Sequence, residues 1–235
     1  MDFTTIFGLF YTKYRGEETP PDSTDPEWKI AVRNYNSSLD RLERYDDTRW
    51  DFMKTSLQAS TQTSPVLDRT LTTNDASFVA PTNMLYPGGL WWKINLSNKR
   101  SAPYRVYKPE DVGILSQNST YGYFLGDFQN GYTFYINPTV ISSENGYGLD
   151  YIYYKKLTRL NPTTETGTSI IAPAASEFFA CFLAAQRFLD SRNFPAYQIM
   201  KRDSEEALKM MKLQNNSGDY YATSLVQDAG PGWGF

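Results

Sequence analysis

The stretch Ala172–Gln214 constrains the fold more than any other part of the chain. Its first half reads APAASEFFACFLAAQRFLD, with Ala174, Phe178, Phe182, Ala185 and Leu189 at helical spacing. Phe179, Leu183 and Phe188 widen this stripe until most of the helix surface is apolar, and a helix of that kind is buried from several sides. Pro173 suits the first helical position and Glu177 the positively polarised opening turn. The chain breaks at Asp190–Pro195, where Asn193 can take a turn conformation and Pro195 starts the next helix. There Tyr197, Met200, Ser204, Leu208 and Met211 form one stripe, and Lys201, Arg202, Glu205, Glu206, Lys209 and Lys212 cover the rest. Glu205 and Lys209 are spaced for a favourable i,i+4 pair. This second helix is expected to fold back on the first or stack beside it.

Two more helices are predicted at the other end. Asp2–Tyr14 carries Phe3, Ile6, Phe7, Phe10 and Tyr14 on one face, with Asp2 as N-cap. That face is either ordinary core or, through Phe3, Phe7 and Phe10, a docking surface for a neighbouring subunit. Asp25–Pro26–Glu27 is a strong helix start, and Trp28, Val32, Tyr35, Leu39, Leu42 and Tyr45 mark one face to about Asp46. Trp50, Met53 and Leu57 in Thr48–Ser60 fit a helix or a short strand equally well.

From Ala76 to Lys156 the period changes to two. Candidate strands are Ser77–Ala80, Leu90–Leu96, Tyr104–Tyr107, Tyr121–Leu125, Tyr132–Asn137 and Leu149–Lys155. Turn chemistry separates them at Tyr86–Gly89, Ser97–Lys99, Gly126–Asp127, Gln129–Gly131, Asn137–Pro138 and Asn145–Gly146. Asn130–Gly131, between two aromatic runs, is the best hairpin signal in the chain. The fold class is therefore α+β: a helical bundle from residues 1–60 and 172–214, an antiparallel β-rich insertion at 76–157, and an extended tail at 215–235. That tail is polar and Gly-rich, then ends on Pro231, Trp233 and Phe235. Such an end is either disordered, folded back on its own domain, or an arm that inserts aromatics into a partner.

The chemistry-bearing residues point away from catalysis. The chain has no His, which removes the commonest general base and metal ligand. Its one Cys, Cys181, sits inside the apolar helix and reads as a small buried hydrophobe. Glu205–Glu206, Asp46–Asp47 and Glu110–Asp111 fall on exposed helix or loop positions and make no convincing acid/base pair. No phosphate-cradling loop, nucleophile elbow or metal-ligand spacing occurs. No enzyme activity, cofactor or metal is expected. The net charge of −3 without any long basic run argues against a DNA-grasping role, though DNA could slide past such a surface. The N-terminus lacks a basic region before its apolar residues and does not read as a secretory signal, and no apolar run reaches the length of a membrane span.

Taken in serial order, these elements resemble the head-to-tail adaptor proteins of tailed bacteriophages, the ring that docks under the portal. The residues that carry the resemblance span about 25–214. They are the helix with Trp28, Ile30, Asn34 and Tyr35, the Arg49–Phe52 aromatic element, and Phe78–Pro81 with Leu85–Pro87. They continue through Tyr123–Gly126, Tyr132–Pro138 and Leu149–Leu157, and end in the alanine- and aromatic-rich helix from Pro173 with the charged helix bearing Tyr197 and Ala207. A short-tailed phage, the crAss-like kind among them, would fit the style of the chain. The aromatic N-terminal helix, the Thr/Ser-rich connection at 61–77 and the aromatic C-terminus depart from the family pattern.

The resemblance implies a virion protein of the neck, made in the host cytoplasm. It would be assembled as a homo-oligomeric ring, usually twelve-fold, around the DNA channel. Its partners would be the portal above and other neck or tail ring proteins below. It gives Pro231, Trp233 and Phe235 a portal-docking role, and leaves Phe3, Phe7, Phe10, Trp91 and Trp92 as candidate inter-subunit or partner contacts. A rival reading is a glycan- or receptor-binding module of a virion, with Trp91, Trp92, Tyr104, Tyr121 and Tyr123 as its platform. Adjacent residues on a strand face opposite sides, so only one of Trp91 and Trp92 can line it.

Overall fold

A computed structural model describes residues 3–17, 19, 24–56, 70–97, 99–115, 119–127, 129–161 and 175–227, except the side chains of 47 and 216–227. The chain is α+β, and it divides into a helical unit, Met1–Phe52 with Leu157–Phe235, and a sheet unit, Met53–Lys156.

Among the described residues four helices build the first unit: α1 (Phe3–Arg15), α2 (Pro26–Glu43), α3 (Ser176–Asp190) and α4 (Phe194–Gln227). The start of α2 follows from its sequence. Asp25 has extended backbone angles, its carboxylate accepts a hydrogen bond from the Glu27 amide, and Pro26 fills the first turn. Trp28, Val32, Tyr35, Leu39 and Leu42 are buried on one face. Tyr45 lies past the helix end, because Asp46 takes φ 48° and breaks the helix into a short 3-10 turn, Tyr45–Asp47.

In α3 every residue from Phe178 to Ala185 is buried, and the helix packs against α1, α2 and α4. Pro173, its expected first residue, lies outside the described residues, as does Asp2, the expected N-cap of α1. Between α3 and α4 the left-handed residue is Arg192, at φ 59°, not Asn193. The Asn193 Oδ1 instead accepts from the Ala196 amide, so this residue caps α4. Glu205 reaches Arg41 of α2 at 3.4 Å rather than pairing with Lys209.

Helix α4 corrects one expectation. It runs to Gln227, so the extended tail placed at 215–235 begins no earlier than 228. Asn215 resembles a helix stop in the sequence, but its amide is used across the unit. Its Nδ2 donates to the Arg49 carbonyl, and its Oδ1 accepts from the Asp51 amide. Adding residues to an existing helix gains one backbone hydrogen bond each without a new nucleation cost, so an anchored helix continues through weak formers.

The segment returning from the sheet unit is held along α2. The Leu160 amide and carbonyl pair with the two ends of the Asn36 side-chain amide. Glu43, nearly fully buried, accepts from the Leu157 amide at 2.6 Å and from both terminal nitrogens of Arg159. Burial opposes the charge on Arg159, but its bonds to Glu43 and Asp40 outweigh this and raise its pKa. The outgoing segment is fixed by Trp50, whose indole N–H donates to the Leu42 carbonyl.

Among its described residues the sheet unit has seven strands: β1 (Lys54–Ser56), β2 (Ser77–Val79), β3 (Met84–Ile94), β4 (Tyr104–Tyr107), β5 (Tyr121–Asp127), β6 (Gly131–Asn137) and β7 (Gly148–Lys155). Their order is β1-β7-β3-β4-β5-β6-β2. The ambiguous segment Thr48–Ser60 resolves into a 3-10 turn, Asp51–Met53, and then β1. Since β1 pairs with β7, the chain enters and leaves this unit on adjacent strands. The insertion therefore starts earlier than residue 76.

Not every pairing is antiparallel. Strands β4 and β5 run parallel, connected through a 3-10 turn at Pro109–Ile114. Two expected turns also lie inside strands. Tyr86–Gly89 belongs to β3, where the register shifts between Pro87 and Trp91. A Cβ on Gly88 would sit 2.1 Å from the Ile152 carbonyl oxygen, so glycine here permits close backbone approach, not a turn. Gly126–Asp127 ends β5. The hairpin at Asn130–Gly131 is present, with 129–130 in the turn and Gly131 at φ 93° opening β6.

Phe78, Trp91, Phe124, Phe134, Ile136, Leu149, Tyr151 and Tyr153 all lie in the core of this unit. They come from five different strands, so the sheet curls until its inner face packs against itself.

Candidate functional site

Strand alternation decides which aromatics stay available. On β4, β5, β6 and β2 the inner positions carry Phe124, Phe134 and Phe78 in one register row. The positions between them point outward. They form three rows: Tyr107–Tyr123–Tyr135–Ser77, Arg105–Tyr121–Asn137, and Leu125–Thr133–Val79. No carboxylate occupies these three rows; the next outward position on β5, at the turn, is Asp127, which Asn130 and Gln129 engage.

The outward tyrosines are in contact with one another. Tyr123 and Tyr135 stack with centroids 5.0 Å apart and planes inclined by 10°. Tyr121 lies 6.4 Å from Tyr123, and Tyr107 lies 6.4 Å from Tyr121, edge-on. All four are half-buried, while Arg105, Leu125 and Val79 around them are exposed. The result is a rigid, mostly neutral surface of ring edges and hydroxyl tips with one cation. Such rings supply contact area at small conformational cost, a property of protein-binding surfaces.

The expected contact residues divide. Trp91 is fully buried, 4.3 Å from Tyr104 and 5.7 Å from Phe134 by ring centroid. Trp92 faces the other way, and the Arg100 guanidinium lies 5.1 Å from its ring centre while its Nη2 holds the buried Asp150 carboxylate at 2.7 Å. Phe3, Phe7 and Phe10 are buried within their own unit, against Trp28, Tyr35 and Tyr14. They are core side chains of this chain, and with Trp91 they offer no surface to a partner. Pro231, Trp233 and Phe235 lie outside the described residues.

The five residues of the glycan platform are not brought together. Trp91 and Tyr104 face the core, whereas Tyr121, Tyr123 and Trp92 face outward. Sugars stack on open ring faces, and Tyr123 and Tyr135 cover each other's. Sequence reasoning missed Arg105, Tyr107 and Tyr135 as members of the outer face. Their period-two spacing was legible, but the register that sets Tyr135 beside Tyr123 depends on where the turn between β5 and β6 falls.

The polar groups elsewhere serve structure. Glu110 and Asp111 are exposed in the 3-10 turn after β4. Lys93 is buried in an ion pair with Glu144 at 2.7 Å. Cys181 donates to Glu177, and burial together with that carboxylate pushes its thiol up to about 12, so it is no nucleophile at neutral pH. Among the described residues no group of His, Cys, Asp and Glu is placed to hold a metal ion, and no helix is long and apolar enough to cross a membrane. No protein-family model and no curated relative matches this chain.

Proposed function

We propose that this chain is a structural virion protein, a ring-forming adaptor that sits beneath the portal in a phage neck and connects capsid to tail around the DNA channel. The observation that carries this reading is the buried helix α3, followed by the amphipathic helix α4, completing a helical unit whose chain is interrupted by a sheet entering and leaving on adjacent strands. The same serial order underlies the resemblance to adaptor proteins. A tyrosine-rich outer sheet face, suited to protein contact, is in keeping with it.

In this reading the helices form the ring wall, the sheet unit meets a tail-side ring protein, and the C-terminal residues dock to the portal. DNA passes without specific binding. The test is the native mass of the full chain, alone and mixed with portal. Joining the portal in a fixed multiple, twelve copies in the usual case, is the expected result. A chain that stays monomeric and ignores both portal and tail proteins overturns the reading.

A further inference from the structure

We infer that the outer sheet face of one copy docks on the exposed side of α4 of a second copy, a contact that rests on the ring reading and specifies how the ring is made. Both surfaces remain open in the single chain. The sheet face has its tyrosine rows and, at the margin, Val79 at 79% exposure. Helix α4 presents Ile199, Met210 and Leu213 outward at 48%, 56% and 64%, on the side away from buried Ser204, Leu208 and Met211. These large apolar side chains recur with Glu206 on one side of the helix, which an isolated surface helix does not need.

The two surfaces complement each other in chemistry and charge. Tyr edges suit aliphatic and thioether side chains, and Met210 supplies a polarisable sulfur. Arg105 is the cation of the sheet face, with no carboxylate at the neighbouring face positions. On α4, Arg202 is taken up by Asp203 at 3.0 Å, whereas its approach to Glu206 is only 4.0 Å, leaving Glu206 largely available. The trend holds for whole units. Of 23 Lys/Arg and 26 Asp/Glu, 14 and 19 fall in the helical unit, and 9 and 7 in the sheet unit. The one acid on the outward positions of β5, Asp127, is engaged by Gln129 and Asn130 in its own turn, so a sheet-to-sheet dimer offers Arg105 no free carboxylate. Pairing two different surfaces is a head-to-tail contact, the kind that closes into rings.

The test uses the full chain with its own buried Cys181 left in place. Val79→Cys and Leu213→Cys are made as separate variants, mixed, and oxidised mildly with and without portal. Both positions are exposed, so neither change threatens folding. The expected product is the mixed dimer in which the oxidant joins the thiols introduced by Val79→Cys and Leu213→Cys, with each variant alone giving little. A second arm swaps charge: Arg105→Glu or Glu206→Arg each weakens assembly about tenfold, and the double variant recovers it. Same-variant dimers as the main product overturn the proposal. Absence of the mixed dimer while the wild-type chain still assembles on portal also overturns it, assigns the sheet face to another partner, and leaves the ring reading standing. A wild-type chain that never assembles overturns both.

Discussion

Phe134 on β6 and Tyr151 on β7 are separated by three intervening strands in the sheet order, yet their ring centroids lie 5.4 Å apart. A flat sheet would hold such strands roughly 19 Å apart. Curling brings them together, because among the described residues the sheet unit has no long helix to cover its apolar face, and the sheet covers it with itself.

Phe134 should therefore dominate the stability of this unit. Phe134→Ala is expected to cost about 3–5 kcal/mol, read from urea unfolding. Gly122 gives a sharper test, since a Cβ there would lie 2.4 Å from Phe134 Cζ and 3.0 Å from Trp91 Nε1. Gly122→Ala should cost about 1–3 kcal/mol by overpacking. Combined with Phe134→Leu, which withdraws the ring tip, its cost should largely vanish. Simple additivity would mean the close approach has been misjudged.

In the helical unit, Glu43 and Asp40 share Arg159 but differ in burial. Glu43 also accepts from the Leu157 amide, inside the unit, whereas the Asp40 side chain is mostly exposed. Glu43→Ala should destabilise by about 2–3 kcal/mol, because a buried N–H loses its charged acceptor. Asp40→Ala should cost less than about 1 kcal/mol. Equal effects in chemical denaturation would mean that the ion pair alone, and not the backbone clamp, holds the returning segment.

The β5–β6 turn carries a pH dependence of known sign. The Asp127 carboxylate accepts from Asn130, through its amide N–H and its side chain, and from the Gln129 amide. These bonds favour the ionised form and lower its pKa below 3.8. The folded value lies below the unfolded one, so the turn's contribution is present above the unfolded value and is lost as pH falls through the folded value. The stability gap between wild type and Asp127→Ala should narrow steadily between about pH 5 and about pH 2. A gap that widens on acidification would contradict the assignment.

Much of this was legible in the sequence, for local reasons. The Asp25–Pro26 start, the all-round apolar surface of α3 and the Asn130–Gly131 hairpin are signals carried by a few adjacent residues. The misses share another cause. Pro87–Gly88 looks like a turn because glycine and proline punctuate chains, but here Gly88 admits the Ile152 backbone of a strand distant in sequence, whereas Gly126, at φ 110°, faces Gly131 across the hairpin. Asn215 reads as a stop until its amide meets Arg49 and Asp51. The tyrosine face needed pairing registers, which no single stretch encodes.

Cys181 tests the centrality of α3. Its thiol is raised to about 12 by burial and by Glu177, so the reactive thiolate fraction near pH 8 is on the order of 10⁻⁴. Maleimide labelling of the native chain should be slow, and should become prompt in denaturant. Rapid native labelling would show that α3 is open on at least one side.

The C-terminal residues decide the orientation of the proposed adaptor. Helix α4 is 34 residues long, about 51 Å, and ends at Gln227. Deleting 229–235 should abolish binding to portal while leaving folding and self-association intact. Replacing Trp233 and Phe235 by Ala should account for most of that loss, because buried aromatics dominate such contacts. Portal binding unchanged by the deletion would remove the tail from the portal contact, and Trp233 and Phe235 would then have to serve another partner.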